Sequence, residues 1–578
     1  MAGAYQLGSA AIPGPPKNDG PADGPSAPAP RSRSVVASSR VSAPSVAQVD
    51  DALDELVNQF SDPLSFLREL VQNAIDAGSH EVEINTSFEP KGEGGTAVVA
   101  VSDWGGGMSR EIIETKLTRL FSSQKDGDRT KIGKFGIGFV SVFAIGPEVV
   151  CVDTARDGEA WRVLFDEKRA FRLLRLDEPI EGTTIRVYKS MSPQEFSGFE
   201  VAVRKTVTYW CKHAVCDIRV DGEPIAVPFA YSNPCSVEHD DGYSRISASH
   251  PAGAETFLGL YNGGLTLVEL GKSPHPGTLV RAWSPHLEHT LTRDAVIEDE
   301  GHACVMEAIA DTVHGPLAER AFENLQTELQ STLPTPWRNH HHACVRWHVE
   351  QGLRPRTQDT VAARTVALTP AGQVLSLGRL LEGVEGDVLF ATRTRSPLSD
   401  AVEASGKTVA HAGLAAEDGA LLRSIGGRGG EFSLDALEAH WALPLPLRDA
   451  SEHAVLDPLA EATRSVFREA GHKVSEVRFG HFDYPGSSLA AQVAVSQADP
   501  FSLSRLQDVK TLGRGFFARS RPVIVNADHP ATQALGPLAQ RDLPLAAYML
   551  AKLFFVGSGL TPSVDGVLAT AANELESR

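Results

Sequence analysis

The chain has 578 residues, of which 42% are hydrophobic and 22% charged, so it suits about three or four soluble domains and is not wholly disordered. Its formal net charge of −19 would repel a phosphate backbone, which argues against nucleic acid as a general partner. The six cysteines form no CxxC pair, so we expect a reducing, cytoplasmic compartment. No apolar run is long enough to cross a membrane and no secretory signal pattern opens the chain, so we expect no membrane partner.

The composition predicts a tail followed by three α/β blocks. Residues 1–47 are rich in Pro, Ala, Ser and Gly, which predicts a disordered tail, with a functional tail as the alternative. Helix and strand patterns then alternate over 48–225, 226–452 and 453–578. We therefore predict a multidomain chain of the α+β and α/β class.

The first block opens with two predicted helices between residues 49 and 79. Asp62 and Pro63 fit the N-cap and first position of the second helix. Apolar residues at helical spacing predict a buried stripe along it, made of Leu67, Leu70, Val71, Ala74 and Ile75. Glu69, Asn73 and Asp76 form a polar row on another face, which suits a water, a cation and a polar ligand edge, although a plain solvated face has the same pattern.

Glycine-rich turns follow at the ends of predicted strands. Asp103 ends the strand TAVVAVSDW and precedes three glycines, so its carboxylate can accept a hydrogen bond from a flat amine-bearing ring while the backbone approaches closely. Ser109 is the predicted cap of the next helix. The loop IGKFGIGF then runs into a helix, and its free N–H groups suit phosphate. A late strand carries the segment EGTTI.

These motifs, in this order, resemble the GHKL superfamily of ATPases. ELVQNAIDA fits that superfamily's E-L-x-x-N-x-x-D-A motif, and DWGGGM fits its D-x-G-x-G-M/I motif. GKFGIGFVSVF, SPLSDAVEASGKTV and VIVNADHPATQAL are similar to motifs of the heat shock protein 90 family, bacterial branch. The resemblance spans about residues 48–578 and implies an N-terminal ATP-binding sandwich, a middle domain and a C-terminal dimerisation domain.

The resemblance implies a role for each motif residue in Mg²⁺-dependent ATP hydrolysis. It makes Glu69 the general base and Asn73 the protein ligand of Mg²⁺, with Asp76 on the same helix row. It makes Asp103 the acceptor for the adenine amino group, with Thr183 or Thr184 acting through a water. The remaining contacts it implies, around the base and the phosphates, are those of Gly107, Met108, Gly133, Gly136, Gly138 and Phe139.

Two further implied contacts are less direct. Arg293, in LTRDAV, would reach the γ-phosphate from the middle domain, whereas the alternative is a surface salt bridge with Asp294 or Glu298. The segment between residues 121 and 137 that should close over the nucleotide is short, and its family lysine is replaced near Ser122, so Lys125 is the candidate substitute.

Other departures from the family bear on partners. Trp104 and Gly106 replace the usual residues of the second motif, and no acidic linker divides the first two domains. The chain ends in ESR, so we expect no peptide that recruits TPR co-chaperones. These features predict a divergent member with its own client proteins.

The C-terminal segment is predicted to dimerise the chain. It contains two apolar helical stripes, made of Leu543, Ala546, Ala547, Leu550, Leu553 and Phe554, then Val564, Val567, Leu568 and Ala571. The resemblance implies a homodimer through residues 540–578, while folding back onto the same domain is the alternative.

Two questions stay open in the sequence. Metal-capable atoms occur in one short segment, on His340, His341, His342, Cys344 and His348. No further Cys or His pair at zinc spacing stands nearby, so this segment is predicted to be a polar linker.

For the whole chain, the leading hypothesis is an ATP-driven homodimeric chaperone. The alternatives are a nucleic-acid machine like MutL or the topoisomerases, and a scaffold that uses the nucleotide as a switch.

Overall fold

The computed structural model describes Val57 and residues 62–118, 137–290, 295–331, 335–352, 361–412, 416–429, 432–511, 520–556 and 559–577. Four predicted site residues lie outside this part of the chain: Lys125, Gly133, Gly136 and Arg293. The predicted tail and most of the first predicted helix lie outside it as well.

The first block is an eight-stranded sheet with helices on one side. Its strands follow the spatial order β5-β4-β3-β6-β2-β1-β7-β8, in which β1 and β7 are parallel and the other pairs are antiparallel. The strands are β1 Glu81–Lys91, β2 Gly94–Asp103, β3 Val149–Arg156, β4 Glu159–Asp166, β5 Phe171–Leu176, β6 Thr183–Met191, β7 Asp217–Val220 and β8 Glu223–Pro224. The helices are α1 Phe66–Asp76, α2 Arg110–Ile112, α3 Ile137–Val140 and α4 Pro193–Cys211.

Helix α1 begins three residues later than the sequence predicted, at Phe66 instead of Pro63. The Asp62 carboxylate accepts the N–H of Leu64 at 2.9 Å, which closes a turn before the helix, and Ser65 stands at the N-cap position. Asp62 is therefore a turn residue and not the helix cap, because its side chain bonds two residues ahead. The predicted stripe is confirmed from Leu67 to Ala74, which are buried against the sheet.

The second block joins a five-stranded sheet to a helical layer and a smaller α/β unit. The sheet has the order β12-β11-β13-β10-β9, and a three-stranded parallel sheet has the order β17-β16-β18. The strands are β9 Ser236–Asp240, β10 Arg245–Ser249, β11 Phe257–Asn262, β12 Leu265–Leu270, β13 Leu279–Trp283, β14 Thr365–Leu368, β15 Val374–Ser376, β16 Val388–Thr392, β17 Val409–His411, β18 Ser433–Ala436 and β19 Trp441–Ala442. The helices are α5 Glu300–Thr312, α6 Ala318–Gln330, α7 Arg338–Gln351, α8 Leu377–Glu382, α9 Pro397–Ala404 and α10 Ala416–Gly429.

Helix α7 corrects the prediction of a polar linker. It carries the whole His/Cys segment, and its buried residues include His341, His342, Cys344 and His348. His342 and His348 face inward beside partners on other elements, and His348 Nε2 lies 2.9 Å from His250 Nε2. Likewise, His342 Nε2 lies 2.7 Å from an Asp418 carboxylate oxygen of α10. A segment that looks polar in sequence is thus a packed helix.

The third block packs helices on a four-stranded sheet with the order β20-β24-β21-β23. Its strands are β20 Val474–Gly480, β21 Ala494–Ser496, β22 Ser504–Arg505, β23 Lys510–Thr511 and β24 Arg521–Asn526, and β22 pairs with β19 instead of joining that sheet. Its helices are α11 Ala450–Glu469, α12 Pro530–Ala539, α13 Leu543–Leu553 and α14 Pro562–Glu576.

The predicted apolar stripe of the two last helices is mostly turned inward. Ala546, Ala547, Leu550 and Phe554 are buried in one core with Phe467 of α11. These residues therefore follow the alternative stated above, folding back onto the same domain, because they pack on α11. Within the described residues, no helix combines the length and apolar character needed to span a bilayer.

Candidate functional site

Helix α1 presents the predicted polar row, but its members differ in exposure. Glu69 is buried, with 4% of its surface exposed, whereas Asn73 and Asp76 are exposed. The Asp76 carboxylate accepts a hydrogen bond from Gln72 Nε2 at 3.0 Å. The row therefore leads from solvent into the domain, and the carboxylate at its inner end is the one shielded from water.

The structure brings Glu69 to Gly138, in the first turn of α3. A Cβ atom built on Gly138 would lie only 2.6 Å from Glu69 Oε2, so glycine leaves the space that the carboxylate occupies. The next residue, Phe139, is buried, and its ring lies 5.5 Å from that of Phe165 on β4. Phe139 therefore anchors the short helix in the core, and only its backbone could reach a ligand.

Asp103 lies where β2 ends, on the sheet beside the far end of α1. Its Oδ1 atom accepts the N–H of Gly105 at 2.9 Å, and the N–H of Thr183 also bonds to its carboxylate. Burial raises the pKa of Asp103, and these two N–H groups oppose that rise. The Gly106 N–H donates to the Ala77 carbonyl at 2.9 Å, which ties this loop to α1.

Gly107 closes the loop against β3. Its φ is +57°, and a Cβ there would stand 2.0 Å from the Ala155 carbonyl oxygen. Any side chain would collide with the backbone, so only glycine fits this position. The next residue, Met108, donates its N–H to Thr154 Oγ1 at 2.9 Å and packs partly buried against the main core.

The sheet register distinguishes the two candidate threonines. Thr183 pairs with Asp103 across β2 and β6, so the two side chains share one face. Thr184 pairs with Ser102, and their hydroxyls hydrogen-bond at 3.1 Å on the opposite face. The geometry therefore brings Thr183 to Asp103 and leaves Thr184 away from it.

Two residues near the site were missed in the sequence. The buried Thr154 hydroxyl lies 3.0 Å from that of Thr183, and only the register of β3 against β6 reveals it. Arg68, next to Glu69, is also buried, and its guanidinium lies 4.8 Å from the centre of the Trp210 ring on α4. Burial lowers the pKa of Arg68 to about 10, so it stays charged at neutral pH. The sequence did contain a signal for Arg68, because a charged residue stands among the apolar residues of the predicted buried stripe.

Comparison with known proteins agrees with this geometry. Residues 63–175 match the family described as histidine kinase-, DNA gyrase B- and HSP90-like ATPase. These residues therefore form an ATPase domain of the GHKL class, and the resemblance inferred from the motifs is confirmed for this part of the chain.

Individual relatives narrow the comparison. The chain is 34% identical over 177 residues to the chaperone protein HtpG of Anaplasma phagocytophilum, across 26% of this chain and 27% of that protein. It is 30% identical over 214 residues to HtpG of Rhodospirillum rubrum, across 31% and 33%. It is also 34% identical over 130 residues to the DNA mismatch repair protein MutL of Ehrlichia chaffeensis, across 22% and 18%. The matched segments thus span about a third or less of each relative's length.

Proposed function

We propose that this protein is an ATP-dependent chaperone of the heat shock protein 90 type, which couples hydrolysis to closure of a homodimer around client proteins. The main support for this proposal is the arrangement of residues at the two ends of α1. A buried carboxylate, Glu69, lies against Gly138 at one end, and the Asp103 loop is bonded to Ala77 at the other. These ends are about 12 Å apart at 1.5 Å per helical residue, which is the scale of a nucleoside triphosphate.

Hydrolysis is assigned to the inner end of that helix. Glu69 accepts a proton from the attacking water, since it is the carboxylate shielded from solvent beside Gly138. The Asn73 amide oxygen, one turn away, is a hard oxygen donor that fits Mg²⁺, which when bound neutralises phosphate charge. The N–H groups of Gly138 and Phe139, with those of Gly133 and Gly136, hold the phosphates.

Base recognition is assigned to the outer end. The Asp103 carboxylate accepts from the adenine amino group, and Thr183 on the same face assists through a water. Gly107 and Met108 shape the wall beside the ring. Asp76 borders the entrance, and Lys125 takes the place of the family's nucleotide-contacting lysine.

Arg293 is proposed to complete the site from the middle domain. Support comes from His289, four residues earlier in the chain. Burial is the main cause that lowers the pKa of His289, and the positive charge of Arg68 lowers it further. Arg68 adjoins Glu69 on α1, so His289 lies within electrostatic reach of that helix. The domains also meet where Lys212, just after α4, lies 2.7 Å from the Glu269 carboxylate on β12. An arginine delivered in this way would couple domain closure to hydrolysis.

The homodimer is proposed to form through the exposed apolar residues of the last two helices, of which only Val567 belongs to the stripe predicted in the sequence. Leu545, Met549, Val556 and Val567 are exposed by 41 to 59%, and all belong to α13, α14 or the turn between them. A cluster of exposed apolar side chains at one end of a domain is typical of an interface. A second copy would cover this cluster with the same cluster, as a two-fold interface requires.

The proposal is tested by replacing Glu69 with glutamine in the full chain. We expect Glu69→Gln to bind ATP normally and to hydrolyse it about 10²- to 10⁴-fold more slowly in a single-turnover assay. Glu81→Gln, at an exposed carboxylate on β1, is the matched control and should keep the wild-type rate. Normal hydrolysis by Glu69→Gln would refute the assignment.

The MutL similarity supports a second candidate, a GHKL machine that acts on DNA. The two are separated by adding either duplex DNA or an unfolded client protein to the ATPase assay. A chaperone in the cytoplasm should respond to the client and not to DNA, given the net charge of −19.

A further inference from the structure

The middle block brings together two thiols and an imidazole that are far apart in sequence. Cys235 directly precedes β9, while His340 and Cys344 lie one turn apart on α7. One ligand atom from each residue lies within 4.8 Å of the ligand atoms of the other two. Spacing along the chain could not reveal this cluster, because Cys235 reaches α7 only through the packing of the sheet on the helices.

The distance between the two ligand atoms on α7 matches one edge of a metal tetrahedron, and the third ligand atom lies within 4.8 Å of both. Cys344 Sγ lies 3.5 Å from His340 Nε2. With Zn–S near 2.3 Å and Zn–N near 2.0–2.1 Å, a regular tetrahedron has S···N edges of about 3.6 Å and S···S edges of about 3.8 Å. An ion can therefore be accommodated with small side-chain adjustments. The i, i+4 spacing of His340 and Cys344 directs both ligands to one side of the helix.

The cluster sits in a rigid and apolar setting. Cys235 and Cys344 are both buried, in one hydrophobic core with Phe322 of α6. The Cys235 backbone is held on both sides, because its N–H donates to Asn233 Oδ1 at 3.0 Å and its carbonyl accepts from the His250 N–H at 3.0 Å. A ligand positioned in this way loses little freedom when it binds a metal.

We propose that Cys235, His340 and Cys344 bind one Zn²⁺ ion. On binding, each thiol releases its proton to solvent, two Zn–S bonds form, and the neutral imidazole donates its lone pair. The product, one divalent cation with two thiolates, carries no net charge, which suits the apolar core. A monovalent copper ion would leave one uncompensated negative charge there. Zinc takes four ligands, so a water molecule would complete the set.

The consequence of this site is a cross-link between two parts of the middle block. Cys235 leads into β9, the edge strand of the five-stranded sheet, and α7 packs with α6 and α10 in the next core. A zinc ion would therefore join the sheet edge to the helical layer. Because it binds the folded form, it would stabilise that form by an amount that grows with the logarithm of its affinity.

The test uses the full chain, stripped with a chelator and titrated with Co²⁺ and then Zn²⁺. We expect one ion per chain, the thiolate-to-cobalt charge-transfer absorption of a two-thiolate site, and release of two protons for each zinc bound. His340→Gln should weaken zinc binding by at least about 10- to 100-fold, and it is the primary variant because His340 is only half-buried. Cys344→Ser should remove the charge-transfer band of one thiolate.

Matched controls lie elsewhere in the same block. Cys304→Ser, at an exposed position of α5, and His302→Gln, at a partly exposed position of the same helix, should leave binding unchanged. The proposal is overturned if the stripped wild-type chain binds no metal, or if the cobalt spectrum survives in both ligand variants. It is also overturned if the unreduced, denatured chain shows four free thiols instead of six, since Cys235 and Cys344 would then form a disulfide. None of these readouts involves nucleotide, so they are independent of the proposed ATPase.

Discussion

Replacing Gly138 with alanine should slow ATP hydrolysis without removing ATP binding. The new Cβ would lie 2.6 Å from Glu69 Oε2, whereas an ordinary contact needs about 3.4 Å. The carboxylate must therefore move by about 0.8 Å. A misplacement of this size costs up to about 100-fold in rate, so we expect kcat to fall by about 10- to 100-fold, or about 1.4–2.8 kcal/mol in the activation barrier.

The effect on affinity should be small, because the Asp103 loop contacts α1 about 12 Å from Glu69. The assay is single-turnover hydrolysis, with ATP affinity measured separately by calorimetry. Gly198→Ala is the control: Gly198 lies on α4, and a Cβ there would meet no atom within 4 Å. It should leave both quantities unchanged.

A double-mutant cycle shows whether the alanine acts through Glu69. If it does, Gly138→Ala should add nothing to the defect of Glu69→Gln, so the double variant should hydrolyse ATP at the rate of Glu69→Gln alone. An unaltered kcat for Gly138→Ala, or fully additive defects in the double variant, would refute the reasoning.

Three further predictions concern the base site and the assembly. Asp103→Asn should weaken ATP binding by about 10- to 100-fold, because a buried charge-assisted hydrogen bond is lost, and unchanged affinity by calorimetry would contradict the adenine assignment. Thr183→Val should weaken binding more than Thr184→Val, since only Thr183 shares a face with Asp103. Met549→Glu should convert dimers to monomers in light scattering, because it places a charge in the exposed apolar cluster, and a persistent dimer would locate the interface elsewhere.

Deleting the last two helices would be a poor test of assembly. Leu550 of α13 and Phe554, just after its end, share a core with Leu459 and Phe467 of α11, so removing them would expose that core and unfold the domain. A surface substitution separates the two effects, because the exposed side chains contribute little to the fold of one chain.

The sequence alone determined the features that depend on neighbouring residues. The buried stripe of α1 and the Ser109 cap of α2 were both readable, because helix periodicity and capping act over three or four residues. The family resemblance followed from motifs that are likewise short. Even so, the start of α1 was misplaced, because Asp62 bonds to its own turn.

Only the tertiary structure decided which distant groups meet. The approach of Glu69 to Gly138, the choice between Thr183 and Thr184, and the approach of Cys235 to α7 depend on strand register and on packing between elements. The inward face of the last helices was likewise determined by α11. The physical reason is that the hydrophobic effect has no directional preference. It requires that an apolar face be covered, but only the assembled fold determines which element covers it.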